Sequence, residues 1–392
     1  MAETLNVKQI ATVMNGIVEQ ATGKSALAAI TAGDFSSVAT TAFVNGYDPI
    51  MSAISQMVGR TIISNRPYQG KFNELVADTQ RFGWITRKIV PGILQGETDG
   101  AFSLTDGAHT PDMFDVRKRP VKQFNFYGTS AYAYHETYYN DQINGAFDSL
   151  EGFRGFVAGM RQAFENDREL MLEALARATF TAFVAGVIGS GAASQTVNLL
   201  ADYNTEKGIT PALTPTTVRD PANWSDFVKY ATARIQTVSN LMESRSTLFH
   251  KSVTGFDVYR HTPVQDQRFY MPASIQAAIG TEVMPGLFNQ EWLQKITYRP
   301  IDYFQSIQAP TSINVTPTIL NADGTTGAGD PVTATNVFAV LMDRDAVGVS
   351  LMDESVASAP YEVAGRYTNI WYHANKRYWM DYTENCVVFL IA

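Results

Sequence analysis

A chain of 392 residues, 45% hydrophobic and 11% aromatic, has enough apolar material for at least one large core and is not a disordered polypeptide. Its formal charge of −8 and pI near 5.2 exclude tight phosphate binding through one basic face, since that affinity comes mainly from Lys and Arg displacing counterions. A single cysteine, Cys386, cannot close an intrachain disulfide and, in a strand-like run, reads as a small buried hydrophobe.

The longest apolar stretches, residues 184–188 and 386–392, fall short of the roughly 20 residues a bilayer requires, so no spanning helix and no membrane partner is expected. Glu3 and Lys8 sit early, with no compact apolar stretch before a small-residue cleavage site. That argues against a secretory leader and for a chain that begins near Met1.

Residues 1–70 carry small and apolar patches (26–32, 39–44, 50–54) broken by Gly33, Gly46 and Pro49; they read as an arm with short helices. From Phe72 to about Gly145 the pattern turns extended, with Ile85, Ile89, Val90, Ile93 and Leu94 beside turns at Gly96, Asp99-Gly100, Asp106-Gly107 and Pro111. Val121, Phe124, Phe126, Tyr132 and Tyr134 then follow strand alternation, Phe124 and Phe126 on one face and Gln123 and Asn125 on the other. The region is expected to form one long two-stranded excursion with a polar tip.

Leu150, Phe153, Val157, Met160 and Phe164, followed by Met171, Leu175, Ala178 and Ala182, recur at three- and four-residue steps. They predict a helix from an Asp148-Ser149 cap to about Ile188, a rod of about 60 Å at 1.5 Å per residue. Gly152, Gly155 and Gly159 weaken its first turns by up to about 1 kcal/mol each, so fraying or a kink is expected there. Residues 189–222, rich in Gly, Ser, Thr and Pro, read as a linker or exposed loop with a domain boundary.

A second helix is predicted from Trp224, Phe227, Val228, Ala231, Ile235, Val238 and Met242, capped by Asn223. It is expected to pack on a small sheet that includes residues 247–250 and 256–259. Residues 309–335 form another turn-rich segment without apolar periodicity, and strands return over 337–342, 347–352, 361–372, 377–382 and 387–391.

The C-terminal text AGRYTNIWYHANKRYWMDYTENCVVFLIA from Ala364, with Asp381, Thr383 and Asn385 in its turn, and NVFAVLMDRDAVGVSLMD from Asn336 look like closing strands that rejoin an earlier sheet. With the order arm, excursion, long helix, inserted α/β region and returning strands, the chain resembles the Hong Kong 97-type fold of tailed-bacteriophage major capsid proteins. The resemblance covers nearly the whole chain and is architectural, since no short motif marks this fold.

The resemblance implies an α+β Hong Kong 97-like capsid fold: an N-terminal arm (1–70), an extended two-stranded loop and start of the peripheral domain (71–145), a long spine helix (146–190), an inserted axial domain (191–341), and C-terminal strands returning to the peripheral domain sheet (342–392). It further implies a non-enzymatic major capsid protein that assembles in the host cytoplasm, as hexamers and pentamers, into an icosahedral or prolate virion shell. Its expected partners are copies of itself, a portal, and double-stranded DNA contacted non-specifically. Nothing at the N-terminus resembles a long charged scaffolding segment, so scaffolding is expected from a separate chain or not at all, with decoration proteins as a further candidate partner.

Searches for chemistry support this. The five histidines, His109, His135, His250, His261 and His373, show no ligand spacing, and His135-Glu136 lacks the second histidine of a zinc protease. No nucleophile elbow, phosphate loop or dinucleotide fingerprint occurs; Gly186, Gly189 and Gly191 read as a helix terminator. Asp343, Asp345, Asp353 and Glu354 flank predicted strands and read as solvated carboxylates. No cofactor and no metal is expected.

In an acidic chain the cations Arg87, Lys88, Arg117, Lys118, Arg119 and Lys122 stand out; they read either as a cluster that docks the excursion on an acidic patch of an adjacent subunit or as the solvated base of the loop. By location alone Lys88, Lys118 and Lys122 are also candidates for the lysine-to-asparagine crosslink that some members of the resembled family form. Three other readings stand beside this one: an encapsulin-like nanocompartment shell, a cytosolic enzyme with a site scattered in sequence, and a tail or baseplate component.

Overall fold

The computed structural model describes residues 51, 72–77, 86–94, 114, 116, 118–146, 150–282 and 297–392. The expected arm (but for Met51), the tip of the excursion, Arg117, His109 and the Asp148-Ser149 cap lie outside the described residues.

In chain order the first elements are β1 (Val76–Ala77), β2 (Thr86–Pro91), β3 (Val121–Phe126), β4 (Thr129–Tyr139), α1 (Asn140–Ala146) and α2 (Leu150–Gly189). There follow β5 (Thr196–Asn198), α3 (Leu199–Lys207), α4 (Pro221–Glu243), β6 (Gln267–Pro272), α5 (Ala273–Glu282) and β7 (Thr297–Ile301). The last are β8 (Ile313–Val315), β9 (Thr318–Leu320), β10 (Thr326–Ala328), β11 (Val332–Ala334), β12 (Val337–Asp343), β13 (Val347–Ser358), β14 (Tyr367–Met380) and β15 (Cys386–Leu390).

The chain forms two compact units, one of Met1–Phe82, Gly128–Ala176 and Val349–Tyr378, the other of Gly83–Tyr127, Arg177–Gly348 and Trp379–Ala392. The helix α2 is continuous for 40 residues, and Gly152, Gly155 and Gly159 interrupt it nowhere. An 18-residue window within Gly155–Gly189 reaches a mean hydropathy of 1.5, long and apolar enough to cross a membrane, and 56% of that window is buried inside the fold. The expectation that no stretch has this character is corrected: scattered polar residues break the apolar runs without lowering the average, and a buried core helix meets the same criterion.

In the first unit a sheet of order β1-β13-β14-β4 packs aromatic side chains against α2. Tyr134 stacks on Phe164 at 5.8 Å and lies 4.9 Å from Tyr372, and Tyr138 meets Phe156 edge-on at 5.5 Å. Such aromatic pairs each add about 1 kcal/mol beyond their area burial. β4 pairs antiparallel with β14 from Tyr139↔Tyr367 to Thr129↔Arg377. Tyr132 and Tyr134 therefore belong to this sheet and not to the excursion, a correction of the sequence expectation. The two strands expected over 361–372 and 377–382 are one, β14.

In the second unit a sheet of order β5-β15-β12-β6-β7 carries the largest core. The helix α4 lays Trp224, Phe227, Ile235 and Met242 against Phe269, Phe338 and Phe389. Pro221 occupies its first turn after Asp220. Asn223 is not the cap; its amide donates to the Thr217 carbonyl at 3.0 Å. Residues 247–250 form no strand, and of residues 256–259 only Phe256 pairs, in an isolated bridge with Val253, while Ser246 bridges Arg260.

The supposed linker of 189–222 holds β5 and α3, whose Leu199, Leu200 and Tyr203 are buried. Asn198 caps α3 by accepting from Leu200 and Ala201 N–H, and Gly208, at φ 61°, ends it in the left-handed conformation that glycine adopts without strain. The turn-rich 309–335 segment contains two antiparallel pairs, β8 with β11 and β9 with β10.

Candidate assembly interface

The excursion is a ribbon of β2 and β3 within the second unit, in register Arg87↔Asn125, Lys88↔Phe124, Ile89↔Gln123, Val90↔Lys122 and Pro91↔Val121. Opposed residues share a face and neighbours along a strand alternate. Lys88, Val90, Lys122 and Phe124 therefore form one face, on which Val90 and Phe124 are buried. The other face shows Arg87, Ile89, Pro91, Val121 and Gln123 to solvent, Ile89 at 66% and Val121 at 60% exposure. Ile89 and Val90, neighbours along β2, lie on opposite faces. Phe114 and Val116 are 77% and 76% exposed, and Lys118 and Arg119 are exposed beside them.

This geometry divides the predicted cation cluster. The Lys88 amine contacts the Asp381 and Glu384 carboxylates and lies 3.3 Å from Thr383 Oγ1. Lys122 reaches the Asp323 carbonyl at 3.5 Å. Both make these contacts within their own unit. Arg87, Lys118 and Arg119 remain outward, and Arg117 is outside the described residues.

The acceptor of Lys88 is a C-terminal turn that sequence reasoning noted only as text. Asp381 accepts from the Thr383 N–H at 2.9 Å and its hydroxyl at 2.6 Å, which closes the turn between β14 and β15 and aims both carboxylates at one point. Arg260 Nε lies 3.4 Å from the second Glu384 oxygen. Burial raises the pKa of Glu384, and the charges of Lys88 and Arg260 only partly oppose it.

The acidic pairs are not all solvated. Asp343 is buried and accepts from the Thr262 hydroxyl at 2.7 Å and the Asp345 N–H at 2.9 Å. Burial raises its pKa despite these bonds. Glu354 accepts from Arg168 and from the Tyr372 hydroxyl. His250 sits between Asn385 and the Val258 carbonyl, its pKa lowered by burial. These are satisfied structural networks, and among the described residues no three His, Cys, Asp or Glu side chains converge as a metal site. Cys386 is fully buried in β15, and burial raises its thiol pKa.

A family model described as Phi29-like phage major capsid protein matches residues 11–390. The chain belongs to this family. The capsid protein is accordingly a shell-forming component of the phage virion, assembled from many copies.

Among solved structures, a chain of the Staphylococcus phage Andhra capsid aligns at 11% identity and a TM-score of 0.53, over 84% of this chain and 86% of that one. That likeness shows the fold, which is Hong Kong 97-like. A chain of native bacteriophage P68, from a structure of its head fiber and inner core protein gp22, aligns at 11% identity and a TM-score of 0.49 over 82% and 85%. A chain of the cyanophage Pam1 capsid aligns at 10% and 0.43 over 84% and 94%. No curated protein matches the chain.

Proposed function

We propose that this capsid protein builds an icosahedral or prolate shell of hexamers and pentamers around double-stranded DNA, and that the outward face of the β2–β3 ribbon is one of its principal intersubunit contacts. The reading is supported above all by the exposure of Ile89 and Val121 on a ribbon whose other face is buried. A two-stranded ribbon is at best marginally stable alone, and contiguous apolar exposure marks an interaction surface. Copies of the same chain are the natural cover in a closed symmetric particle.

In this reading α2 is the spine, the sheet with β13 and β14 is the peripheral sheet, and the five-stranded sheet that β15 joins belongs to the axial domain. The protein acts by contact and not by catalysis. Shell formation takes place in the host cytoplasm, with the portal, any scaffold and any decoration protein as separate chains. The net charge of −8 keeps contact with packaged DNA weak and non-specific. Exposed ion pairs contribute about 0 to 1 kcal/mol each, so burial holds the lattice and charge sets its register.

The test is Ile89→Asp with Val121→Asp in the full chain. Circular dichroism should show a folded subunit, and sedimentation and electron microscopy should show no shells. Shells of normal yield from this double variant would overturn the role given to the ribbon.

A further inference from the structure

We propose that two turns of the second unit, residues 321–325 at the end of the β9–β10 hairpin and residues 253–256, form a clasp that holds the subunit's own ribbon at one angle before a second copy arrives. Lys122 and Phe256 are its positioning residues. This rests on the reading of the ribbon as an intersubunit element and adds what orients that element.

The two turns are joined to each other and closed within themselves. The Thr254 N–H donates to the Ala322 carbonyl at 2.8 Å, and Val253, 2% exposed, stands beside Gly324. The Phe256 N–H donates to the Val253 carbonyl at 2.9 Å and the Gly324 N–H to the Asn321 carbonyl at 3.0 Å. Asp323 Oδ1 accepts from the Thr325 N–H at 2.8 Å and from its hydroxyl at 2.7 Å. Gly255 and Gly324, at φ 75° and 90°, supply conformations that other residues rarely adopt.

The ribbon meets this pair of turns at its far end, just beyond the Pro91↔Val121 pair. There the Gly92 N–H donates to the Pro120 carbonyl at 2.7 Å, which extends the pairing by one step. Gly92 is buried, and a Cβ on it would fall 3.1 Å from the Phe256 ring and 2.8 Å from Pro120 Cγ. The missing side chain is what lets the Phe256 ring lie against the ribbon backbone. On β3 the Lys122 amine reaches the Asp323 carbonyl at 3.5 Å, and a Cβ on Gly324 would stand 3.0 Å from that amine. A glycine of the ribbon and a glycine of the hairpin thus lie where ribbon and clasp touch.

The near end of the ribbon is held more firmly. The Lys88 amine contacts two carboxylates, of which Asp381 is 3% and Glu384 10% exposed, and separating buried charges is costly. Lys122 has one carbonyl at the long limit of a hydrogen bond, and Phe256 offers only a ring face. The hold therefore weakens along the ribbon, and the clasp yields before the Lys88 contact does. A two-stranded ribbon let go at that end is marginally ordered; one that is clasped meets its neighbour with its ordering cost already met.

The test loosens the clasp in the full chain. Phe256→Ala with Lys122→Met should leave circular dichroism and amide exchange in β12 and β15 unchanged, speed exchange in β2 and β3 at least tenfold, and raise the concentration needed for shell formation at least fivefold. Gly324→Val, which forces a branched side chain into a positive φ and onto the Lys122 amine, should act in the same direction. Phe256→Leu with Lys122→Arg keeps an apolar cover and a donor, and should stay close to wild type in both measurements.

Unchanged exchange in the ribbon of the Phe256→Ala, Lys122→Met variant would mean that the ribbon holds itself, and the clasp is then wrong. Faster exchange with shells at the wild-type concentration would mean that the angle need not be set beforehand, which overturns the proposal as well. The ribbon reading fails separately, through normal shells from Ile89→Asp with Val121→Asp, a variant that alters neither Lys122 nor Phe256.

Discussion

Arg168 and Glu354, 186 residues apart in sequence, meet at 3.1 Å with side chains only 4% and 5% exposed. The Tyr372 hydroxyl donates to the same carboxylate at 2.7 Å, so α2, β13 and β14 are joined through one buried charge. Burial pulls the Arg168 pKa down, yet Glu354 and Tyr372 outweigh it and the net shift is upward.

Removing one partner of such a pair leaves the other charge buried and uncompensated, at about 3 to 5 kcal/mol. Arg168→Met should therefore lower the stability of the unassembled subunit by about that amount in urea unfolding. Arg168→Met with Glu354→Gln should recover part of the loss, because no net charge remains buried. A double variant as unstable as the single one would show that packing of the arginine stem, and not charge, dominates.

A second prediction concerns pH. Lys376 is fully buried, its amine contacting the Tyr132 hydroxyl and standing 4.8 Å over that ring. Burial pulls its pKa down from 10.5 to about 8, against the opposing charge of Glu354 and with help from Arg168. With the folded value below the unfolded one, the unfolded chain binds more protons between about pH 8 and 10.5. This group's contribution to stability rises through that window and is lost as pH falls through 8. Lys376→Met should be more stable than wild type at pH 7 by about 2 kcal/mol: a burial penalty of roughly 3 less roughly 1 for the ring contact. The gap should close towards pH 10.5, and a gap that does not change with pH would remove the buried amine as its cause.

Lys376 also explains what the sequence concealed. The polar run Asn375-Lys376-Arg377 reads as a break between strands, yet Lys376 occupies an inward position of β14 and folds its amine onto an aromatic ring. Strand alternation made the β2 and β3 pairing legible and gave the faces of Phe124 and Gln123. It could not show that β4 leaves the ribbon for β14, because periodicity reports faces and not partners. The long helix was legible from its three- and four-residue apolar steps. The helix α3 was not, being nine residues between Gly- and Pro-rich flanks, although Asn198 and Gly208 were its start and stop signals. Within the candidate interface, the cations were visible in the sequence; that Lys88 and Lys122 turn inward was visible only once the register was known.

The Lys88 contact gives a third prediction. Lys88→Met leaves Asp381 and Glu384 converging without their nearest cation. At neutral pH the subunit should lose stability by a few kcal/mol, and amides of β2 and β3 should exchange faster with solvent because the ribbon's inward face has lost its polar anchor. Glu384 already has a raised pKa, and a carboxylate raised in the folded state weakens stability as pH rises through that value. Without Lys88 it rises further, so the difference between variant and wild type should shrink as pH falls and Glu384 takes up its proton. A loss equally large at pH 4 and pH 8 would mean that Lys88 contributes through its stem alone.

The glycines of α2 give a fourth prediction, of opposite signs. In a helix interior Gly→Ala stabilises by about 0.5 to 1 kcal/mol, because alanine has less backbone freedom to lose on folding. A Cβ at Gly155 or Gly159 meets nothing within 4 Å, so Gly155→Ala and Gly159→Ala should each raise the subunit's thermal midpoint. A Cβ at Gly186 would land on the hydroxyl of Tyr382 and 2.7 Å from its Cζ. That ring cannot step aside: it stacks on Phe183 at 5.0 Å and its hydroxyl donates to the Thr318 carbonyl at 2.7 Å. Overpacking of this kind costs about 1 to 3 kcal/mol, more than the gain in helix propensity. Gly186→Ala should therefore lower the midpoint, and Gly186→Ala with Tyr382→Phe should recover part of the loss by removing the oxygen nearest the new methyl group. A stabilised Gly186→Ala variant would show that β15 and the turn before it yield more easily than the packing around Tyr382 allows.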